Sequence, residues 1–292
     1  MKKRHVSGIL ATVICAAVLA YVFLWPHSLY DIAWLGEGRG EAETVRIQER
    51  VAGEDPLTID VTLPKADSSA FLDVMRDASA HFLLPGRQTV FHGNSYLVTL
   101  GNQQVRSEVV ISEQGRISQQ SPGGRRWGEG TFRINKKDQE RIWSLCEAWT
   151  DPNGKYPGLA FLREFFTIGK GGRSEFVDVQ APDGVYGGGA VETLYSGIEP
   201  YMTERGFENV LLGRSLYDLE YLCKQKGENW LCGYIEVSPG SEPGYFFYRI
   251  GLVEETSDHP WNYWFTGNYF VSEDGLVDAF YIDLKGAAWV AE

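Results

Sequence analysis

Carboxylates, aromatic rings and thiols are the groups in this chain whose placement could support chemistry. In "GLVDAFYIDL" the residues Leu276, Asp278, Phe280, Ile282 and Leu284 share one face of an expected strand, with Asp278 inside an apolar row. An unpartnered carboxylate there would be costly to ionise, and acids perturbed in this way mark active sites. Asp278 is therefore the candidate catalytic residue, though an acid tied to an arginine or lying at the end of the row would be purely structural.

A second constellation is "HPWNYWFTGNYF", which packs Trp261, Tyr263, Trp264, Phe265, Tyr269 and Phe270 into twelve residues. On a strand, alternate rings point to opposite sides, so a sheet covered on one face leaves half of them available to stack on a sugar or anchor a protein. Trp261, Tyr263, Trp264 and Tyr269 are the candidate binding residues. A sheet covered on both faces would bury them all.

The third is "YLCKQKGENWLC". Cys223 and Cys232 are separated by a turn that can bring their Cβ atoms within disulfide reach. Cys15 lies in an apolar N-terminal run, and Cys146 lies on the apolar stripe of an expected helix. A Cys223–Cys232 bridge is the expectation.

Other chemistry has no foothold. The chain has no H-E-x-x-H, G-x-S-x-G, S-x-x-K or P-loop pattern. Of five histidines, His5 and His27 flank the apolar run, and His81, His92 and His259 lack the close spacing of a zinc pair. "DPNGKYPG" from Asp151 starts like a calcium loop, but Lys155 stands where an oxygen ligand is needed. Gly187, Gly188 and Gly189 precede an expected helix without a nearby Lys or Arg to complete a phosphate site. No metal and no cofactor is expected. The formal charge of −12, with Lys2, Lys3 and Arg4 concentrated at one end, leaves an acidic body that repels phosphate backbones. A nucleic-acid partner is not expected.

The elements that must position these groups begin with Val6 to Trp25, twenty residues without a charge. In helical form they extend about 30 Å, the thickness of a hydrocarbon core, and Pro26 stops them. "VLA" at Ala20 resembles a cleavage site, but cutting there would leave the apolar "YVFLW" as the new terminus. A retained transmembrane signal-anchor is the expectation over a removed signal peptide. Three basic residues precede the span and Asp31 is the first charge after it, so the positive-inside rule puts the N-terminus in the cytoplasm and the body outside.

The expected organisation is residues 1–5 cytoplasmic, 6–26 in the membrane, 27–42 a linker containing "GEGRGEAE", 43–206 an α+β domain, and 207–292 an aromatic-rich β-meander. Within it, "LTIDVTL" alternates as a half-buried strand, and "DSSAFLDVMRDASAHF" reads as one helix capped by Ser68 or Ser69. "NKKDQERIWSLCEAW" reads as a second helix capped by Asn135. Strands are expected at 162–168 and 173–180, a third helix ending near Pro200, and a short helix at 215–224. Four closing strands are expected at 230–237, 245–253, 261–271 and 276–284. The fold class expected is α+β: a transmembrane helix, then antiparallel sheets with helices packed on one face. The functional expectation is a membrane-anchored extracytoplasmic binding protein, whether scaffold, inhibitor, immunity-type protein or envelope-polymer receptor, with a protein or glycan partner. The alternative is a cell-envelope hydrolase centred on Asp278.

Overall fold

The structure, a computed structural model, describes residues 12–15, 26–34, 40–50, 57–82, 93–120, 132–151, 153–167, 198–213, 230–254 and 263–289. The chain divides into two compact units that interleave along the sequence, 1–52 with 63–146, and 53–62 with 147–292.

The first unit holds β1 (His27–Ser28), β2 (Thr44–Arg50), β4 (Ser79–Phe82), β5 (Ser95–Gly101), β6 (Arg106–Ser112), β7 (Arg116–Gln120) and β8 (Phe132–Ile134). They run in the order β1-β4-β8-β7-β6-β5-β2. Every neighbouring pair is antiparallel. Its helices are α1 (Leu29–Ala33), α2 (Lys65–Asp77) and most of α3 (Lys136–Thr150). Val45, Ile47, Val98, Leu100, Val109, Ile111 and Ile117 alternate toward the core, where Phe71, Leu72 and Met75 of α2 also lie buried.

Two local readings change here. The expected long helix stops at Asp77, because Ala78 turns extended and Ser79–Phe82 pairs as a strand. Ser79 is held there by Asp138, whose Oδ2 accepts the backbone N–H at 3.0 Å and the hydroxyl at 3.3 Å. Ser68 caps nothing. It lies inside α2, donates to the Leu63 carbonyl and accepts from Val45 N–H. Asn135 directs its amide to Ser79 Oγ.

The second unit holds β3 (Thr58–Thr62), β9 (Trp230–Pro239), β10 (Tyr245–Glu254), β11 (Tyr263–Val271) and β12 (Val277–Trp289), in the order β3-β9-β10-β11-β12. From β9 to β12 the pairs are antiparallel. β3 lies parallel to β9, Thr58 opposite Tyr234 and Val61 opposite Val237. The helices are α4 (Leu159–Thr167), a 3-10 turn (Glu199–Tyr201) and α5 (Glu204–Gly213).

The expected fold class is thus corrected. Strands dominate, twelve of them among the described residues, and they are mixed rather than antiparallel, with strand exceeding helix by 43% to 34%. Alternation in a sequence reports which side a residue faces and is silent on the direction of the neighbouring strand. Nor does any helix among the described residues have the length and apolarity to cross a membrane. Residues 12–15 are helical, and the remainder of 6–25 lies outside the described residues.

The strand expected at 162–168 is helix α4. Leu159, Phe161, Leu162, Phe165 and Phe166 are all buried, a stripe at i, i+3 and i+7 that a short apolar run can satisfy equally as strand or helix. The strand expected at 173–180, most of the helix expected before Pro200, and the one expected at 215–224 lie outside the described residues.

Candidate functional site

The second unit presents two sheet faces of opposite character. On the core face, Phe246, Tyr248 and Ile250 of β10, Phe265 and Tyr269 of β11, and Phe280 of β12 are buried. Helix α4 covers them. Phe161, Phe165 and Phe166 meet Phe280 at centroid distances of 4.9, 4.7 and 6.3 Å. Tyr248 stacks on Phe280 at 5.3 Å and Phe246 on Tyr269 at 5.3 Å. Such pairs add roughly 0.5–1.5 kcal/mol each beyond the area they bury.

Three tyrosine hydroxyls are sunk in this layer and each finds a carbonyl. Tyr156 donates to Thr62 at 2.8 Å, Tyr269 to Pro157 at 2.8 Å, and Tyr248 to Tyr281 at 3.0 Å. Burial pushes all three hydroxyls above the ordinary tyrosine pKa, so they stay protonated donors. Gly267 makes the Tyr248 bond geometrically accessible, since a Cβ at that position would collide with the Tyr248 hydroxyl and the Tyr281 carbonyl oxygen.

The opposite, open face takes the alternate residues. Cross-strand register aligns Ser238, Phe247, Asn268 and Tyr281 in one row, and Glu236, Arg249, Thr266 and Asp283 in the next. Phe247 and Tyr281 are 47% and 56% exposed, among the few large hydrophobic side chains of the described residues that are so. Tyr245 touches both Phe247, at 4.8 Å, and Phe270, at 4.6 Å. Arg249 lies over the Trp264 ring at 5.5 Å and 3.8 Å from Glu236. Between Phe247 and Arg249 the face sinks into a hollow of about 240 Å³.

The candidate binding residues therefore divide. Trp264 is half-buried on the open face beside Tyr234, 5.4 Å away. Tyr269 points the other way and is fully buried in the core layer. Tyr263 begins β11 and pairs with Leu252 and Trp289, and Trp261 lies outside the described residues. Phe270, in the aromatic segment but not among its candidates, also lies on the open face, and the rings there that sequence reasoning missed are Tyr245, Phe247 and Tyr281. Their signal was present as strict alternation in "YFFYRIG" and "DAFYID", but only the register brings them onto one surface.

Asp278 does not share a face with Phe280. A register irregularity between Phe270 and Val271 makes it the extra residue of a bulge and turns Val277 inward instead. The Thr203 hydroxyl donates to Asp278 Oδ1 at 2.7 Å, and Arg205 stands 3.7 Å from Oδ2. The same Thr203 oxygen accepts the Gly206 N–H at 3.0 Å, capping α5 in its first turn. Gly206 lets that turn approach β12 closely, where a Cβ would meet the Val277 carbonyl. What Asp278 does in this geometry is anchor a helix end.

Asp60, by contrast, is 1% exposed on β3, opposite the side of Ile59 and Val61, and accepts the Tyr234 hydroxyl at 2.8 Å. The expected half-buried strand is thus covered at its centre on both sides. Cys232 is buried in β9 with its Sγ 4.0 Å from the Tyr234 carbonyl, while Cys223 lies outside the described residues. Among the described residues no group of three His, Cys, Asp or Glu side chains is arranged to hold a metal. Burial pushes the Cys146 thiol up, far from a reactive thiolate. Comparison of the chain with protein-family models, with curated proteins and with solved structures gives no match.

Proposed function

We propose that this chain is a membrane-attached binding protein whose body works outside the cytoplasm and engages its partner through the open face of β9–β12. One observation carries the reading: Phe247 and Tyr281 stand out from a sheet whose other face is packed beneath α4. Exposed rings flanked by polar side chains are the usual chemistry of a recognition surface. Attachment rests on the uncharged run Val6–Trp25, and sidedness on Lys2, Lys3 and Arg4 preceding it. The binding could serve a scaffold, an inhibitor or immunity-type protein, or an envelope-polymer receptor.

The test is retention of a partner from solubilised envelopes by the full chain, compared with a Phe247→Ala, Tyr281→Ala double variant. Loss of the partner with unchanged thermal melting is the expected result, whereas equal retention would remove the open face from the reading. Reporter fusions at Glu292 check sidedness independently. Activity there of a reporter that works only in the cytoplasm would reverse it.

A further inference from the structure

We propose that the hollow between Phe247 and Arg249 receives one uncharged pyranose ring of a glycan, so that the partner of the open face is a saccharide. This rests on the binding-face reading above and adds its ligand class. The hollow has an aromatic wall, Phe247, and a guanidinium wall, Arg249, with Ser238 beside the first and Glu236 and Thr266 on either side of the second. Its volume of about 240 Å³ falls below the ~300 Å³ at which pockets for drug-sized ligands begin. It suits a single ring.

Pyranose chemistry matches the two walls separately. The axial C–H face of the ring is apolar and lies flat on an aromatic side chain. Its rim of hydroxyls both donates and accepts, which calls for donors and acceptors set side by side. Arg249 offers only donors and the Glu236 carboxylate only acceptors. They stand 3.8 Å apart, with side-chain exposures of 56% for Arg249 and 27% for Glu236. Arg249 is further steadied over the Trp264 ring, which limits the freedom it would lose on binding. Opposite charges so close sum to almost nothing at the distance of a ligand, and that complements an uncharged molecule.

The row beyond continues the pattern, with Phe247, Asn268 and Tyr281 on successive strands giving ring, amide, ring. Neighbouring strands are about 4.8 Å apart, so the two rings stand roughly 10 Å from each other with a hydrogen-bonding side chain between them. A saccharide chain crossing the strands would meet stacking and hydrogen-bonding groups in turn. An apolar protein helix laid on the same surface would instead bury Asn268, Thr266 and the Arg249–Glu236 pair against carbon, leaving polar atoms without partners. A polyanion would face Asp283 in the same row and a chain of net charge −12.

The experiment is titration calorimetry of the full chain in a detergent without sugar headgroups. The probes are four neutral tetrasaccharides: β-1,4-linked glucose, N-acetylglucosamine and mannose, and α-1,4-linked glucose. At least one should bind. Phe247→Ala should weaken it roughly tenfold, as expected from losing one stacked ring, and Arg249→Ala and Glu236→Gln should each weaken it too. Phe247→Tyr should preserve binding, and all four variants should melt as the parent does. Binding of none of the four probes overturns the saccharide assignment, as does binding indifferent to both Phe247→Ala and Arg249→Ala. If the saccharides fail while Phe247→Ala, Tyr281→Ala still abolishes retention of an envelope protein, the open face remains a binding surface and only its ligand class is lost.

Discussion

The two faces of β9–β12 are built from the same kinds of residue and behave in opposite ways. Both carry aromatic side chains at alternate strand positions. On the core face Phe246, Tyr248, Tyr269 and Phe280 each touch another ring, and α4 closes the layer from above. On the open face rings also touch, Tyr245 against Phe247 and Phe270, but Asn268, Thr266 and Arg249 stand among them, and Phe247 remains about half exposed. Aromatic density alone therefore does not reveal burial. The neighbours across the strands do, because apolar neighbours let rings share a dry layer and polar ones keep water at hand.

Substitutions should pull the two faces apart. The largest effect is expected at Phe280, which contacts Phe161, Phe165, Phe166 and Tyr248. Phe280→Ala should cost about 3–5 kcal/mol in chemical denaturation. A loss under about 1 kcal/mol would mean the layer is loosely packed and the contrast between faces is false. Gly267→Ala comes next, at roughly 1–3 kcal/mol, since the new methyl must displace the Tyr248 hydroxyl or the backbone of β12. Pairing it with Tyr248→Phe should recover little of that loss, because the ring carbon Cζ that phenylalanine keeps collides with the new methyl as closely as the hydroxyl does.

A pH series sharpens the same comparison. Tyr156, Tyr248 and Tyr269 ionise only above the value they have when unfolded, chiefly because they are buried, with the charge of Asp283 adding at Tyr248. Their stabilising contribution is complete below about pH 10, where unfolded tyrosines begin to lose their protons, and declines as the pH rises toward their folded values. Each should lower stability by about 1.4 kcal/mol per pH unit above that point. Denaturation midpoints between pH 9 and 11.5 should fall accordingly, and Tyr269→Phe should flatten the slope by one proton. A flat profile would mean these hydroxyls reach solvent. The smallest effect is expected on the open face, where Phe247→Ala should stay within about 0.5 kcal/mol of the parent. A loss of several kcal/mol there would show that the ring is covered and unavailable to any ligand.

Much of the local structure was legible in the sequence. The closing strands, the α3 helix and the turn at Glu273–Gly275 follow from alternation, helical spacing and turn residues. What was not legible depends on partners distant in sequence. Nothing in "LTIDVTL" announces a parallel partner at Tyr234–Val237 or a tyrosine hydroxyl waiting for Asp60. The bulge at Asp278 left no mark in the sequence either, and one inserted residue moved that acid out of the row it was assigned to. The candidate site suffered likewise. "HPWNYWFTGNYF" was the densest aromatic segment and drew attention, yet the open face takes its rings from three strands, each contributing one or two.

The parallel pairing of β3 with β9 also bears on how the chain is made. Thr58 leaves the ribosome long before its partner Tyr234. At translation rates of ~5–20 residues per second, the interval is on the order of ten seconds. Throughout that time the edge of β3 that β9 will cover has no partner, although residues on either side of the strand already belong to the other unit. A nascent chain in that condition offers an unpaired edge to any neighbour. Holding it apart until residue 239 has been synthesised is work for a chaperone, and overproduction that outruns chaperone supply should yield aggregates seeded by residues 57–63.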